Sequence, residues 1–381
     1  MLEHRYLEKL GLAEIGRKVA QGERLTISDG EKLFACPDMN ALGSLAHQVR
    51  TRLHGNAAYY VVNRHINYSN ICVNGCRFCA FSRKKGDPLS FELSEEQILD
   101  KVRSQSNGLT EIHIVGGCHP ELPFRFFEHL IQKIRDMKPE VFIKAFTAVE
   151  VAHFAKAESI PVKEVLFRLK SAGVQMLPGG GAEVFSPRIR QSLCPDKLDG
   201  KGWLDVIRQA HEIGIKTNAT MLYGHIETVQ ERLEHMAALR ELQDRTGGLV
   251  CFIPLAFQPA NNELSYLPPT TGVDDLKTIA VSRLMLDNIA HIKAYWVMLS
   301  VKLAQTALYY GADDFDGTVI EEKIGHMAGA ESQQGLTRSE IERIIRDGGF
   351  EPVERDSLFR RVSGSGVSGD DHNHNKHCVV A

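Results

Sequence analysis

Short apolar runs alternate with longer amphipathic stretches along most of this chain. From about residue 57, eight apolar runs predict strands and the stretches between them show helical periodicity. The predicted strands are 58–66, 111–115, 142–147, 174–177, 216–222, 250–257, 291–299 and a weaker one at 314–319. The predicted helices include 95–104, 124–137, 162–172, 203–213, 228–246 and 274–288. This alternation predicts an α/β fold, either a (β/α)8 TIM-type barrel or, as the alternative, a doubly wound open sheet.

The two ends of the chain differ from this pattern. Residues 1–56 predict a helical extension that covers the bottom or the first strand of the barrel, with Thr26 as one helix cap. We therefore expect three parts: the extension, a barrel over 57–355, and a C-terminal extension over 356–381. Polar, glycine-rich sequence from Ser363 onward predicts a disordered tail, whose His372, His374, His377 and Cys378 would bind a transition metal adventitiously or serve as a metal store.

Composition narrows the function. With 381 residues, 43% of them hydrophobic, the chain can bury a large core. The net charge is -3 and the basic residues are scattered, which argues against a nucleic-acid partner. The N-terminus has no apolar segment of signal or membrane-spanning length, and eight cysteines are too few for a disulfide scaffold. We therefore expect a cytoplasmic protein without a membrane partner.

Three closely spaced cysteines directly follow the first predicted strand, at Cys72, Cys76 and Cys79. Such thiolates can ligate three irons of a 4Fe-4S cluster and leave the fourth iron open to a small molecule, much as a catalytic zinc keeps one position free. Two alternatives stay open here. One is a zinc site completed by His65 or His119, and the other is a closed electron-transfer cluster that uses Cys118, about forty residues on.

Glycine-rich and polar segments follow several other predicted strands. They are 116–120, 178–183 and 218–225. Barrel enzymes carry their active sites at this end of the strands, although an ordinary turn explains any single glycine. No phosphate-binding glycine fingerprint is present in the sequence.

Longer strings make a resemblance specific. They are His65-Ile-Asn-Tyr-Ser-Asn-Ile-Cys72, Glu111-Ile-His-Ile-Val-Gly-Gly117, His119-Pro, Ile143-Lys-Ala-Phe-Thr-Ala-Val-Glu150, Leu177-Pro-Gly-Gly-Gly-Ala-Glu183, residues 218–228, 276–280 and 291–298, and Asp316-Gly-Thr-Val319. Together with the cysteine spacing and Phe78, they resemble the aminofutalosine synthase family of radical S-adenosylmethionine enzymes over about residues 60–355. Cyclic dehypoxanthinylfutalosine synthase and the deazaflavin (FO) synthases share the spacing and remain alternatives.

The resemblance implies a reaction for menaquinone biosynthesis. A 4Fe-4S cluster on the three cysteines would bind S-adenosylmethionine, which is consumed as a co-substrate. The 5′-deoxyadenosyl radical would add to the enolpyruvyl group of 3-(1-carboxyvinyloxy)benzoate, an aryl enolpyruvyl ether, and aryl migration with decarboxylation would give 6-amino-6-deoxyfutalosine. The implied partners are a low-potential electron donor of the flavodoxin or ferredoxin type and a second copy in a homodimer.

It also implies site residues. For S-adenosylmethionine we expect Phe78 near the adenine, Gly116 and Gly117 at the methionine amino group, and Glu183 and Asn218 at the ribose or the methionine. For the substrate carboxylates and catalysis we expect Lys144, His119 and His225, with Lys293, Thr271 and 316–318 as further candidates. Tyr295, Trp296 and Met298 on the seventh strand would form an apolar wall.

Overall fold

The computed structural model describes residues 4–104 and 108–362. Ten strands are present in this part of the chain: β1 Ala57–Val61, β2 Asn63–Ile66, β3 Glu111–Ile114, β4 Phe142–Ala145, β5 Met176–Leu177, β6 Lys216–Tyr223, β7 Leu249–Ala256, β8 His291–Ile292, β9 Asp314–Gly317 and β10 Glu351–Glu354.

The helices lie between and around these strands. They are α1 His4–Lys9, α2 Ala13–Gln21, α3 Ile27–Ala35, α4 Met39–His54, α5 Glu95–Ser104, α6 Phe124–Met137, α7 Ala148–Glu158, α8 Val162–Ala172, α9 Pro187–Leu193, α10 Gly200–Glu212, α11 Val229–Thr246, α12 Gly272–Met285, α13 Trp296–Leu299, α14 Val301–Ala307, α15 Ile324–Met327 and α16 Arg338–Asp347. A short 3₁₀ helix covers Leu308–Tyr310.

The strands form a parallel barrel. Strands β2 to β8 make one seven-stranded sheet in chain order, and β10, β1 and β9 make a second sheet. Bridges from Lys293 to Asp314 and from Arg64 to Ile320 join the two sheets, so β9 closes the ring between β8 and the first strand. The predicted barrel is confirmed and the open sheet is not, because β9 pairs on both sides.

Most predicted elements lie where the periodicity put them, but the seventh strand was wrong. Only His291 and Ile292 are extended, and the chain then turns into the short helix α13. Trp296 and Met298 are therefore helical, and the Trp296 indole donates to the carbonyl of Gly317. Residues buried on every side carry no periodicity that separates a strand from a helix. For the same reason 142–147 contains a four-residue strand followed by Thr147, the cap of an unpredicted helix, α7.

The N-terminal helices pack against the barrel as expected. A capping box of Thr26 and Asp29 starts α3. The Lys277 ammonium of α12 donates to the carbonyls of Phe34 and Cys36 at the end of that helix. In α4, the Arg50 guanidinium donates to the carbonyl of Ala57 at the start of β1. These bonds hold the extension against the outer helices and the first strand.

The C-terminal part of the described chain belongs to the barrel. Strand β10 pairs in parallel with β1, and Val362 donates to the carbonyl of Glu354 at 3.0 Å. The predicted tail, with His372, His374, His377 and Cys378, lies outside the described residues. The division at residues 56 and 355 remains a prediction. Among the described helices, none is both long and apolar enough to cross a membrane.

Candidate active site

A cavity of about 310 Å³ opens at the carboxyl ends of the barrel strands. Cys72, Cys76 and Cys79 line it, together with loops from around the ring. Its wall also carries apolar side chains from β6, β7 and α13: Leu222, Ile253, Leu255 and Met298. The size and the mixed lining are typical of a small-molecule site.

The cysteine loop is held by backbone bonds. Cys72 donates its amide to the Arg83 carbonyl at 3.0 Å, and Cys79 donates to the Cys76 carbonyl at 3.1 Å. All three cysteines are half-buried, and their sulfurs belong to the cavity wall. The loop therefore brings together the three thiols that the spacing singled out.

Two further cysteines lie beside these three. The chain folds back after β3 so that a hydrogen bond with Cys118 lowers the pKa of Cys72 to about 5, whereas a hydrogen bond with Cys194 raises the pKa of Cys76. Sequence separation alone had made such an approach of Cys118 unexpected. A thiol that donates to the Cys72 sulfur lies next to that sulfur and favours its thiolate form.

The glycine pair after β3 is required by close packing. A Cβ at Gly117 would collide with the Ile71 carbonyl oxygen, and one at Gly116 would lie 2.7 Å from the Tyr68 ring. The Gly117 amide donates to the Ser69 carbonyl at 2.8 Å. These glycines thus let β3 approach the cysteine loop, and their contact with the methionine amino group stays a prediction.

Glu150 is a cavity residue that the sequence analysis did not select. It caps α7, where its carboxylate accepts from Thr147, from the Tyr68 hydroxyl at 2.9 Å and from the Gly116 amide at 3.0 Å. Burial raises the pKa of Glu150 to about 7, although these donors oppose the shift. The capping-box pattern Thr147-x-x-Glu150 was the available signal, but it indicates a helix start and not a site.

Phe78 and Glu183 meet at one buried lysine. The Lys197 ammonium lies 2.5 Å from the Glu183 carboxylate and 5.5 Å from the centre of the Phe78 ring. Although burial opposes it, the Lys197 charge keeps the pKa of Glu183 below its ordinary value. Lys197, which the sequence analysis missed, therefore places a cation close to the cysteines.

The side-chain oxygen of Asn218, on β6, has no hydrogen-bond donor among the described residues. The side chain is buried and lines the cavity. A buried amide oxygen without a donor is costly, so this position suits a ligand hydroxyl or amine.

The three residues predicted for catalysis are not brought together. Lys144 lines the cavity and lies 2.6 Å from Glu111, whereas His119 and His225 are absent from the lining. His119 accepts from the amides of Glu121 and Leu122. His225 contacts the carboxylate of Glu227 at 2.9 Å. Both histidines organise loops here, and their catalytic roles remain predictions.

The other residues predicted to contact the substrate lie in different parts of the structure. Thr271 caps α12 by accepting from the Asp274 amide. Lys293 and Asp316 form a buried ion pair in the cavity wall. Tyr295 and Met298 line the cavity, but Trp296 does not.

The deep end of the cavity, which we call the floor, carries ionisable groups from five strands or their connections. His65, His113 and Lys144 occupy one register row across β2, β3 and β4. Lys293 and Asp316 complete the floor from the opposite side. His65 and His113 were not predicted as substrate residues, because only the register places them beside Lys144.

Comparisons with known proteins agree with this site. Residues 66–239 match the radical SAM superfamily and residues 246–363 match the CofH/MqnC C-terminal region. The aminodeoxyfutalosine synthase of Thermus thermophilus is 48% identical over 92% of this chain and 96% of its own. The chain belongs to the radical SAM enzyme family that includes the aminodeoxyfutalosine synthases. A 5-amino-6-(D-ribitylamino)uracil–L-tyrosine 4-hydroxyphenyl transferase of Methanopyrus kandleri is 40% identical over 83% of this chain and 88% of its own.

A solved structure supports the fold of this radical SAM enzyme. Methylornithine synthase superposes with a TM-score of 0.72 over 88% of this chain and 96% of its own, at 19% identity. At that identity the likeness concerns the fold alone.

The residues fit the cofactors that the radical SAM family uses, a 4Fe-4S cluster and S-adenosylmethionine. Three thiols share one cavity wall, and cysteine thiolates are the protein ligands of such a cluster. The unpartnered oxygen of Asn218 and the charged Lys197–Glu183 pair lie in the same cavity. S-Adenosylmethionine has hydroxyls, an amine and a carboxylate that match these groups.

Proposed function

We propose that this enzyme is an aminodeoxyfutalosine synthase. It adds the 5′-deoxyadenosyl group of S-adenosylmethionine to 3-(1-carboxyvinyloxy)benzoate, with aryl migration and decarboxylation, for menaquinone biosynthesis. The observation that carries the proposal is the 48% identity to the Thermus thermophilus synthase over nearly the whole chain. The cavity supports it, because cysteines at its mouth face a floor of histidines and lysines.

Cys72, Cys76 and Cys79 would hold the 4Fe-4S cluster, which when bound would supply the electron for the cleavage of S-adenosylmethionine. Other residues of the cavity would bind and orient S-adenosylmethionine. Asn218 and Glu183 would bind the ribose hydroxyls or the methionine, and Gly116 and Gly117 would leave room for the methionine amine. Phe78 would pack near the adenine.

The apolar wall protects the radical steps. Leu222, Ile253, Leu255 and Met298 would shield a radical adduct in the cavity from water. The enolpyruvyl group would lie at this level, next to the adenosyl C5′.

The floor supplies positive charge for the substrate. Lys144 and Lys293 line it, and we propose that they face the carboxylates of the aryl enolpyruvyl ether. His119 and His225 would act from outside the lining, by fixing the loops that follow β3 and β6. A flavodoxin or ferredoxin type electron donor and a homodimer are part of the proposal as the family resemblance implies them.

The relatives with a different name provide the second candidate. At 40% identity, the Methanopyrus kandleri transferase shares much of the same chain. As its name says, that enzyme acts on L-tyrosine and 5-amino-6-(D-ribitylamino)uracil. The two candidates differ in the fate of the adenosyl group, which only the synthase incorporates into its product.

One anaerobic experiment tests the proposal. The reconstituted enzyme, S-adenosylmethionine and a strong reductant are incubated either with 3-(1-carboxyvinyloxy)benzoate or with L-tyrosine and the ribitylaminouracil, and the products are identified by mass spectrometry. We expect 6-amino-6-deoxyfutalosine and methionine from the first mixture only. Product from the second mixture alone would replace the proposal by the transferase, and free 5′-deoxyadenosine with unchanged benzoate would reject this substrate.

A further inference from the structure

The charges of the floor are already balanced before a substrate enters. Lys144 faces Glu111 at 2.6 Å, Lys293 is paired with Asp316, and Arg355 is paired with Asp314. All of these groups are buried, so each ion pair depends on its partner. Removing one partner from a buried pair is strongly destabilising, because it leaves the other charge buried and unpaired. A substrate carboxylate can face these lysines, but one that took either of them as its ion-pair partner would leave Glu111 or Asp316 uncompensated.

Two histidines offer another way to receive that carboxylate. The rings of His65 and His113 lie 4.4 Å apart on neighbouring strands, and both line the cavity. His113 is only half-buried, and no described residue forms a hydrogen bond with its ring. Its nitrogens are therefore available to a ligand.

Asn63 supports the ring of His65. The Asn63 amide is oriented by the Val319 N–H, which donates to its oxygen at 2.8 Å. The Asn63 NH2 group therefore faces His65 Nε2 at 3.5 Å. Burial lowers the pKa of His65, and no described residue forms a hydrogen bond with the ring of its neighbour His113.

Several charged groups surround the pair. They are Glu111 on β3, Lys144 on β4, Lys293 on β8, Asp316 on β9 and Glu322 after β9. Burial, the neighbouring ring and Lys144 lower the pKa of His113 well below 6.5. A carboxylate placed against the ring would raise the pKa of His113, because its negative charge stabilises the protonated imidazolium.

We propose that His113, backed by His65, binds the aryl carboxylate of the substrate together with one proton. The inference rests on the proposed function, which supplies a dicarboxylate whose enolpyruvyl end must lie near the cysteines. His113 precedes Gly116 by three residues, about 10 Å along the strand. The benzoate end therefore points at His113 when the enolpyruvyl end lies beside the cysteines.

Proton uptake can be measured without turnover. Calorimetric titrations of the cluster-loaded enzyme with S-adenosylmethionine present and no reductant are run in buffers of different ionisation enthalpy. The ligands are 3-(1-carboxyvinyloxy)benzoate and its benzamide analogue, which lacks the aryl charge. We expect uptake of close to one proton with the benzoate and none with the benzamide. The benzoate Kd should weaken by up to about tenfold per pH unit above neutrality, because protonation and binding are linked.

Variants assign the proton to the ring. His113→Gln should abolish both the uptake and the pH dependence of Kd, whereas His129→Gln, at a histidine exposed by 62%, should leave both unchanged. Uptake that persists in His113→Gln, or that occurs with the benzamide, would overturn the assignment. A wild-type titration without proton uptake would overturn the proposal even if His113→Gln does not fold. A wild-type enzyme that makes 6-amino-6-deoxyfutalosine but binds benzoate without proton uptake refutes this inference and leaves the proposed function intact.

Discussion

At the scale of single residues, Lys144 illustrates how a site lysine can also be structural. Its ammonium lies 2.6 Å from Glu111, and both side chains are almost fully buried. Lys144→Met leaves Glu111 charged and unpaired, so we expect the free energy of unfolding to fall by about 3–5 kcal/mol. The double variant Glu111→Gln/Lys144→Met should recover most of that loss in denaturant titrations.

The single and double variants also separate the effect of Lys144 on stability from its effect on catalysis. If Lys144 contacts the substrate, the double variant folds but does not turn over. A double variant with normal turnover would show that Lys144 serves only as the partner of Glu111. A single variant as stable as the wild type would contradict the ion-pair argument itself.

Gly117 tests the cysteine loop at the same scale. An added Cβ collides with the carbonyl of Ile71, one residue before the first ligand cysteine. The backbone must move to relieve this collision, so Gly117→Ala should lower the iron bound per protein after reconstitution severalfold. Gly272→Ala is the matched control, because its Cβ meets only Leu303 at 3.4 Å. Equal iron content in the two variants would show that the loop adapts freely.

At the scale of elements, the segment 318–336 forms part of the cavity wall through Glu322, Ile324 and Ala328. Its hydrogen bond from His326 to the Glu322 carboxylate, at 3.1 Å, raises the pKa of His326 to about 9. The ordinary value is about 6.5. The pair therefore stabilises the segment fully below about pH 6.5, and this stabilisation is lost as pH rises through about 9.

Hydrogen exchange can detect this loss. Between pH 7 and 9.5, we expect amides of 318–336 to lose about 1 kcal/mol of protection after correction for intrinsic exchange rates, a value discounted for partial exposure. His326→Gln should remove the pH dependence and leave α6 as an unchanged internal reference. The same slope in the variant would mean that another group controls the segment.

The element scale also shows what sequence could and could not supply. Alternation and spacing were enough for the parallel α/β architecture and the three cysteines, because both are local patterns, but they did not decide whether the sheet closes into a barrel. They did not distinguish α13 from a strand, since 291–299 is buried on every side. Proximity to a strand end did not place His119 or His225 in the cavity, because loop residues point where tertiary contacts direct them.

Register explains the remaining omissions. His65 and His113 become neighbours of Lys144 only when β2, β3 and β4 pair in one row. Lys197 reaches Glu183 from a loop fourteen residues later. Both relationships depend on pairing and packing across the fold, so no short motif in the sequence contains them.

At the scale of the whole molecule, the end of the described chain packs onto the closed barrel as a further strand. Strand β10 lies against β1, the Arg355 guanidinium pairs with Asp314 at the base of β9, and Ser357 donates to Glu111 at 2.7 Å. These contacts connect the last strand to the same buried network that supports Lys144 and Lys293. Residues 351–362 are therefore part of the catalytic scaffold.

A pair of truncations tests this dependence. A chain ending at Phe350 exposes the edge of β1 and leaves Asp314 without Arg355, so we expect it to be insoluble or to lose its cooperative thermal transition. A chain ending at Val362 keeps β10 and all the contacts of Arg355, and should match the full chain in melting temperature, iron content and product formation. If the shorter chain folds and binds iron normally, the last strand is dispensable. If the longer one loses activity with its iron content intact, residues 363–381 contribute to the site, contrary to the tail predicted from sequence.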